Sequence, residues 1–402
     1  MTRVLVTDGE SRPALAVVRS LARAGFEPFV CAAMAPSLAG ASRFTRAAAH
    51  VPDPLTAGPA FVDAVANLVR DWKIDVLQPV SEPAHIAILA APDRFGDVCI
   101  PSGGLDAFLA LTDKTRVLAA ATDLGFDVPR QLRVDDLAAL RGVAPPSFPV
   151  AIKPARTISG ASLHKVAYAR DPAQLERRVR ALSPHAFPVM VQERIAGYGC
   201  GVSLLRWGGE LRATFLHRRI RENPPSGGAS AVSESLPLDP ALVERASALL
   251  AAFEWNGVAM VEFKVDAAGR PWLMEVNPRF WGSLQLAVDC GVDFPSLLVR
   301  SALGAAPAPS REYAVGRRLR HWWGDVDRTI AVLRHSRSDL ALPEDAPGRV
   351  RTLIDFFTPH PRQRYEVWSA RDPRPFLVET KSWFRQRFGR RRARKQLEPS
   401  TG

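Results

Sequence analysis

The sequence predicts a protein in two textures, a doubly covered α/β sheet followed by an α+β region of short strands and hairpins. Apolar runs and helical stretches alternate over the first hundred residues. Near Pro149 the pattern changes to short strands, and one pair of them is joined by a turn ending in Gly269. A βαβ rhythm implies a parallel sheet with helices on its faces, whereas hairpins imply antiparallel pairing.

In the first region Val4-Leu5-Val6 reads as a strand running into Thr7-Asp8-Gly9, and a helix is predicted from Pro13 to Ala24. Phe26–Cys31 is the next strand, Phe61–Asp71 a helix, and Val76–Val80 a strand leading into Ser81-Glu82. Ligands of such sheets collect at the carboxyl ends of the strands, here Asp8–Ser11 and Ser81–Glu82. Thr112-Asp113-Lys114 opens a helix to Leu124, with Thr112 or Asp113 as its cap. The short strands that follow are Val150–Lys153, Leu163–Ala167, Val189–Glu193, Val202–Trp207 and Leu211–His217, with helices at Ala173–Leu182 and Pro240–Phe253. The hairpin is Val258–Val265, the turn Asp266-Ala267-Ala268-Gly269, and Pro271–Val276. An Ala/Pro-rich stretch at 305–312 marks a boundary.

Composition narrows the class. The chain has 402 residues, 47% hydrophobic and 23% charged, which is ordinary for a soluble globular protein of several domains. Cys31, Cys99, Cys200 and Cys290 are scattered and form neither a C-x-x-C pair nor a metal-finger pattern, so reduced thiols are expected. No apolar run reaches the roughly 18 residues of a membrane span. The N-terminus reads as a buried strand rather than a signal peptide. A cytoplasmic location follows as the expectation. Net charge is +12, of which residues 381–402 carry +7.

Four clusters carry chemistry. If the four turn residues lie outside the ladder, Glu262 falls opposite Leu273, and Glu262 and Lys264 share a face with Glu275 and Asn277. Val261, Phe263, Met274 and Val276 then form the core face. Two carboxylates and an amide oxygen suit Mg²⁺, a hard cation that takes oxygen ligands. Lys153 closes a buried strand and precedes the small-residue loop Arg156–Ser162, whose backbone N–H groups could cover phosphate oxygens. In Val189–Gly197 an apolar strand breaks into a polar hinge able to read an adenine, with Ile195 on the ring. His217–Glu222 places arginines beside Pro224-Pro225-Ser226-Gly227-Gly228, and guanidinium binds oxyanions bidentately.

Taken in order, Lys114, Lys153 with its loop, the Gln192–Gly197 hinge, Glu262 and Glu275-Val276-Asn277-Pro278-Arg279 resemble the ATP-grasp superfamily over about residues 1–305. Within it the chain is most similar to the carboxylate–amine ligase branch, which includes carbamoyl-phosphate-synthase-like and D-aspartate-ligase-like proteins. The resemblance implies an ATP-grasp fold with a Rossmann-like pre-ATP-grasp domain (1–111), a small subdomain (112–191), a large subdomain with the metal site (192–305) and a C-terminal extension (306–402). It implies that Lys114, Lys153, Ser159, Gly160, Gln192, Glu193 and Ile195 bind ATP, and that Glu262, Glu275 and Asn277 hold Mg²⁺ or Mn²⁺. Arg279, Lys153 and Arg219 would be catalytic. Where many members place an acidic ribose ligand, this chain has Tyr198-Gly199-Cys200-Gly201.

The implied reaction activates a carboxylate as an acyl phosphate for attack by an amine, releasing ADP and phosphate. A small-molecule kinase of the same fold and a catalytically silent nucleotide-binding scaffold remain alternatives. Glu82 or Glu10 is expected to place a cationic substrate group. The partners expected are small-molecule carboxylate and amine substrates and a second copy in a homodimer, with no nucleic acid. Aromatic residues interleave with the basic tail, so contact with a membrane surface is a further expectation, beside a helix docked on the protein.

Overall fold

The computed structural model describes residues 1–396 apart from 141–144, 160, 165, 306–307, 309–311, 341 and 343–345. The first sheet is wholly parallel, in the order Ala48–His50, Glu27–Ala32, Arg3–Val6, Val76–Gln78. Alternation along its strands feeds two cores. Val4 and Val6 pack with Leu15, Val18 and Leu21 of the helix Arg12–Arg23, while Leu5 and Leu77 pack with Phe61 and Val65 of the helix Gly58–Asp71. Ser11 caps the first of these helices through the N–H of Ala14. Asp8 adopts φ +57°, a conformation an Asp tolerates better than most residues. From there its carboxylate accepts the Ser81 N–H at 2.9 Å and the Ser81 hydroxyl at 2.6 Å. Asp8 thus ties the ends of two strands together and fixes the start of the helix Glu82–Leu89.

A small antiparallel sheet follows, in the order Gln131–Val134, Val189–Glu193, Val150–Pro154, Ala167–Ala169, backed by the helix Pro172–Arg180 through Leu175 and Val179. The strand predicted at Leu163–Ala167 is instead two pieces. Ser162–Leu163 pairs back on Ile158–Ser159 as a separate hairpin, and Ala167–Ala169 joins the sheet.

The large sheet has seven strands, in the order Pro271–Asn277, Gly257–Val265, Tyr198–Trp207, Glu210–Asn223, Ala229–Ser235, Arg318–Arg320, Gln363–Tyr365. Its last two strands come from beyond residue 305, so the C-terminal extension completes this sheet. The hairpin register differs from the predicted one. Val265 pairs with Pro271, which makes the turn one residue longer, and a bulge follows between Glu262 and Phe263, so that Glu262 sits directly opposite Glu275. The bulge turns Met274 out of the core and leaves Leu273 buried in its place.

Three helices complete the extension: Trp322–Arg334, Arg349–Phe357 and Arg374–Gln396. They are held by buried charge. Asp325 is fully buried and takes Arg221 at 2.7 Å and Arg320 at 2.8 Å. Asp372 takes Arg19 at 3.0 Å and also accepts from the Ser42 hydroxyl and the Arg43 N–H. The Arg19 guanidinium further donates to the carbonyls of Glu366, Val367 and Asp372. No helix among the described residues is long and apolar enough to cross a membrane.

Asp372→Ala strands Arg19 in a buried site, and removing one partner of such a pair costs about 3–5 kcal/mol. Urea unfolding should register that loss. A change under about 1 kcal/mol would show that the pair does not hold the extension to the first domain.

Candidate active site

The centre of the site is the pair Glu262 and Glu275. The Asn277 amide nitrogen donates to both, at 3.3 Å to Glu262 Oε2 and 3.3 Å to Glu275 Oε1. Both carboxylates therefore edge a single small space on one face of two adjacent strands. Four cations surround them. Lys114 Nζ lies 3.3 Å from Glu275, and Arg219 Nη2 lies 2.5 Å from Glu262. Lys153 is close enough to Glu275 to oppose, in part, the lowering of its own pKa by burial. Arg279 donates from Nη2 to Asn277 Oδ1 at 3.1 Å, which orients the amide between the carboxylates.

Protonation follows from these neighbours. Burial works against the charge of Glu275, but Lys114 and Lys153 outweigh it and hold its pKa at about 2. Burial and the charge of Glu275 push Glu262 up, against the pull of Arg219. Arg219 stays charged despite burial because Glu262 and Glu222 face it. His217 lies further along the same strand, fully buried, and burial drops its pKa to about 3, so it is neutral and pairs with the Ser283 hydroxyl at 3.0 Å.

Each cation is aimed by local structure. Asp113 caps the helix Lys114–Asp123 by accepting from the N–H groups of Thr115 and Arg116. Lys114 N–H bonds Ala155 O at 2.9 Å, and its Nζ also donates to Thr157 at 2.9 Å. Lys153 pairs across the ladder with Met190, and its Nζ donates to Gln192 Oε1 at 2.8 Å and reaches Met274 Sδ at 3.9 Å. The bulge that moved Met274 thus supplies a wall for Lys153.

The predicted nucleotide-binding residues divide. Gln192 is almost fully buried, with its oxygen on Lys153 and its amide on Gln131 at 3.2 Å, so it holds the lysine in place. Glu193 and Ile195 are half-buried at the hinge. Gly197 has φ +146°, and a Cβ there would stand 2.0 Å from Val265 O, so the hinge requires glycine at that point. Ser159 lies in the short hairpin Ile158–Ser159, and Gly160 falls outside the described residues.

Two acidic residues join the cluster, Glu222, which no sequence signal assigns to it, and Glu82, which its place at a strand end marks for a substrate's cationic group. Glu222 accepts from Arg219 at 3.3 Å and from Lys264 at 3.2 Å. At a spacing of three it would face away from Arg219 in a regular strand, and a bulge at residues 219–222 brings it round. Glu82, at the first turn of its helix, is buried, which raises its pKa, and it feels Arg279, Lys114 and Glu275. Glu10 does not join, since its charged neighbours are Asp8 and Asp53.

The donor set suits a hard divalent cation: two carboxylates and an amide that would turn its oxygen inward, with lysines and arginines placed for further anionic oxygen. Among the described residues no cluster of three or more His, Cys, Asp or Glu forms an all-protein metal cage. Mg²⁺ is commonly held by one or two carboxylates together with substrate phosphates.

Residues 185–321 match a protein family described as ATP-grasp in the biosynthetic pathway with Ter operon. The chain is 30% identical over 208 residues to a D-alanine–D-alanine ligase of Methylococcus capsulatus, a match covering 44% of this chain and 59% of that one. It therefore spans little more than half the length of that relative. Among solved structures it is similar to the L-amino acid ligase from Bacillus licheniformis, with a TM-score of 0.61 and 19% identity over 79% of this chain and 78% of that one. It is similar too to the biotin carboxylase domain of Hydrogenobacter thermophilus 2-oxoglutarate carboxylase in complex with MgADP and bicarbonate. There the TM-score is 0.60 and the identity 14%, over 79% of this chain and 73% of that one. The chain has the ATP-grasp fold, and the resemblance to the ATP-grasp superfamily read from its sequence stands.

Proposed function

We propose that the protein is an ATP-dependent carboxylate–amine ligase that forms an amide through an acyl phosphate. The observation that carries this reading is the pair of carboxylates on adjacent strands, bridged by Asn277 and ringed by Lys114, Lys153, Arg219 and Arg279. The ligase names of similar proteins and the MgADP bound in one of them support it.

A carboxylate resists nucleophiles because it is anionic and its leaving group would be oxide. Transfer of the γ-phosphoryl group to a carboxylate oxygen breaks the bond to ADP and creates a good leaving group. Such transfer needs positioning and charge neutralisation more than covalent help. Lys114 and Lys153 would bind the phosphate oxygens, and Arg219 and Arg279 would meet the charge on the transferred group. Mg²⁺, held by Glu262, Glu275 and Asn277, would supply neutralisation of the phosphate charge. The amine then attacks the acyl carbon, the C–O bond to phosphate breaks, and the amine proton leaves with the phosphate.

An acyl phosphate hydrolyses readily, so the site must exclude water. The hairpin Ile158–Ser159 with Ser162–Leu163 and the loop after Asn223 lie beside the cations and would act as covers. Thr157 is already bonded to Lys114, and Arg219 to the Gly228 carbonyl at 3.1 Å, so movement of either segment is felt by a cation of the site. Glu82 is the anionic group at the first-domain wall and would receive the ammonium group of an amino-acid-like substrate.

The test is a coupled ADP-release screen of small carboxylates and amino acids, with and without amines, with mass detection of the product. Amine-dependent ADP release with an amide product is expected, whereas ADP release with a phosphorylated product and no amine dependence would make the protein a kinase. Glu275→Gln removes one charge from the metal site and should abolish ADP formation with the thermal unfolding midpoint retained; near-normal turnover would refute the metal assignment. Arg279→Ala should lower kcat by roughly 10²–10³, the usual cost of losing one donor to a developing charge. An effect confined to KM for ATP would remove Arg279 from the chemical step.

A further inference from the structure

We propose that the C-terminal helices form a surface that docks the protein on an anionic lipid bilayer. Among the described residues, nine of the seventeen exposed large apolar side chains lie between Val350 and Phe388. A tenth of the chain thus carries half of its exposed apolar bulk. Scattered exposed apolar residues need no explanation, but a concentration of them marks a contact surface.

The placement is regular. On the helix Arg349–Phe357 the exposed apolar residues are Val350, Leu353, Ile354 and Phe357, at helical spacings that put them on one face. Phe357 is 75% exposed and Val350 72%. The opposite side is spent inward, where Thr352 is buried and Phe356 packs on Trp322 at 5.6 Å. The helix Arg374–Gln396 repeats the arrangement. Trp383 stacks on Trp323 at 4.2 Å and anchors the helix, while Leu377, Phe384 and Phe388 are about half exposed. Phe384 and Phe388 stack on each other, with Lys381 and Arg385 exposed beside them. The anchoring partners Trp322 and Trp323 are neighbours on one helix, so both faces are mounted on the same support.

Charge identifies the occupant. Residues 349–388 carry nine Lys and Arg against four Asp and Glu, a net +5, and over 349–402 the sequence gives +9 of the chain's +12. The acids are also less available, since Glu366 and Asp372 are buried in ion pairs. Apolar side chains projecting from a basic surface match the boundary of an anionic bilayer, where hydrocarbon enters the acyl region and Lys and Arg reach the headgroups. A second copy of the chain would bring this positive surface against its own like charge. Single-stranded nucleic acid would use the exposed aromatic rings alone, whereas Val350, Leu353, Ile354 and Leu377 add aliphatic hydrocarbon that suits the acyl region.

The test is co-sedimentation of the full chain with vesicles of phosphatidylcholine containing one third phosphatidylglycerol, beside vesicles of phosphatidylcholine alone. The protein should pellet with the anionic vesicles and remain in solution with the neutral ones. Ile354→Ser with Phe357→Ser, and separately Phe384→Ser with Phe388→Ser, should each weaken binding roughly tenfold, in keeping with loss of two apolar anchors. Ile354, Phe357 and Phe388 are exposed, and Phe384 is half exposed with one edge on Trp323 at 5.7 Å, so an unchanged thermal midpoint is the check that the variants fold. Equal pelleting of wild type and both double variants would overturn the proposal, as would equal binding to both vesicle types. Lipid-independent self-association in sedimentation velocity, abolished by the same variants, would assign the surface to a second copy instead. Binding of a mixed-sequence oligonucleotide with no vesicle binding would overturn it too.

Discussion

Two carboxylates stand directly opposite each other on neighbouring strands, and the rest of the site answers to that. Like charges in a cross-strand pair repel. With each oxygen 3.3 Å from the same amide nitrogen, the two groups are within one small cavity. At an effective dielectric constant of about 20, unit charges roughly 5–6 Å apart repel by about 3 kcal/mol. Burial makes the charges harder to keep, and the fold offsets this with cations drawn from four different elements. Lys114 comes from a helix start, Lys153 from the small sheet, Arg219 from the next strand but one, and Arg279 from the turn after the hairpin. A lysine or arginine at about 3 Å returns roughly 5 kcal/mol on the same scale, so the cations prevail for Glu275, whose pKa falls to about 2.

That balance is also what a ligase site needs before its substrates arrive. The cations that neutralise the carboxylates are those placed to bind phosphate oxygens. In the proposed reading the lysines and Arg219 would turn from carboxylate to phosphate when the nucleotide binds, and a divalent cation held by the carboxylates would offset part of the phosphate charge. A cavity that held only carboxylates would repel a polyphosphate, and one that held only lysines would bind it with no place for a metal.

The placement of the two glutamates on one face was legible in the sequence, although the ladder between them was not. Alternation alone put Glu262, Glu275 and Asn277 on one side, with Val261, Phe263 and Val276 on the other. The turn proved one residue longer than the Asp-Ala-Ala-Gly pattern indicates, which by itself would have reversed the faces. The bulge beside Glu262 added a second single-residue shift, and parity returned. The residues on the turn side of the bulge changed sides, Leu273 entering the core and Trp272 and Met274 leaving it. Bulges are set by tertiary packing and leave little trace in local sequence, and the same blindness hid Glu222 from the site. The extension was illegible for another reason. Its strands Arg318–Arg320 and Gln363–Tyr365 are three residues each, too short to show periodicity, and they exist because an edge of the large sheet was open to them.

The extension is consequently no appendage. The strand Glu210–Asn223 presents Arg219 to Glu262 and, two residues on, gives Arg221 to Asp325 of the extension. The site and the basic C-terminal surface therefore grip one strand. Residues 349–402 hold +9 of the net charge, so the remaining 348 residues carry only +3, and the high isoelectric point comes from the C-terminal stretch of the sequence. Cutting the extension away would strip Arg19 and Arg221 of their carboxylates and uncover the edge of the sheet. Any loss of activity in such a truncation would then speak of a collapsed strand. Outward-facing changes such as Phe357→Ser leave those buried partners in place, so they separate what the surface does from what the extension supports.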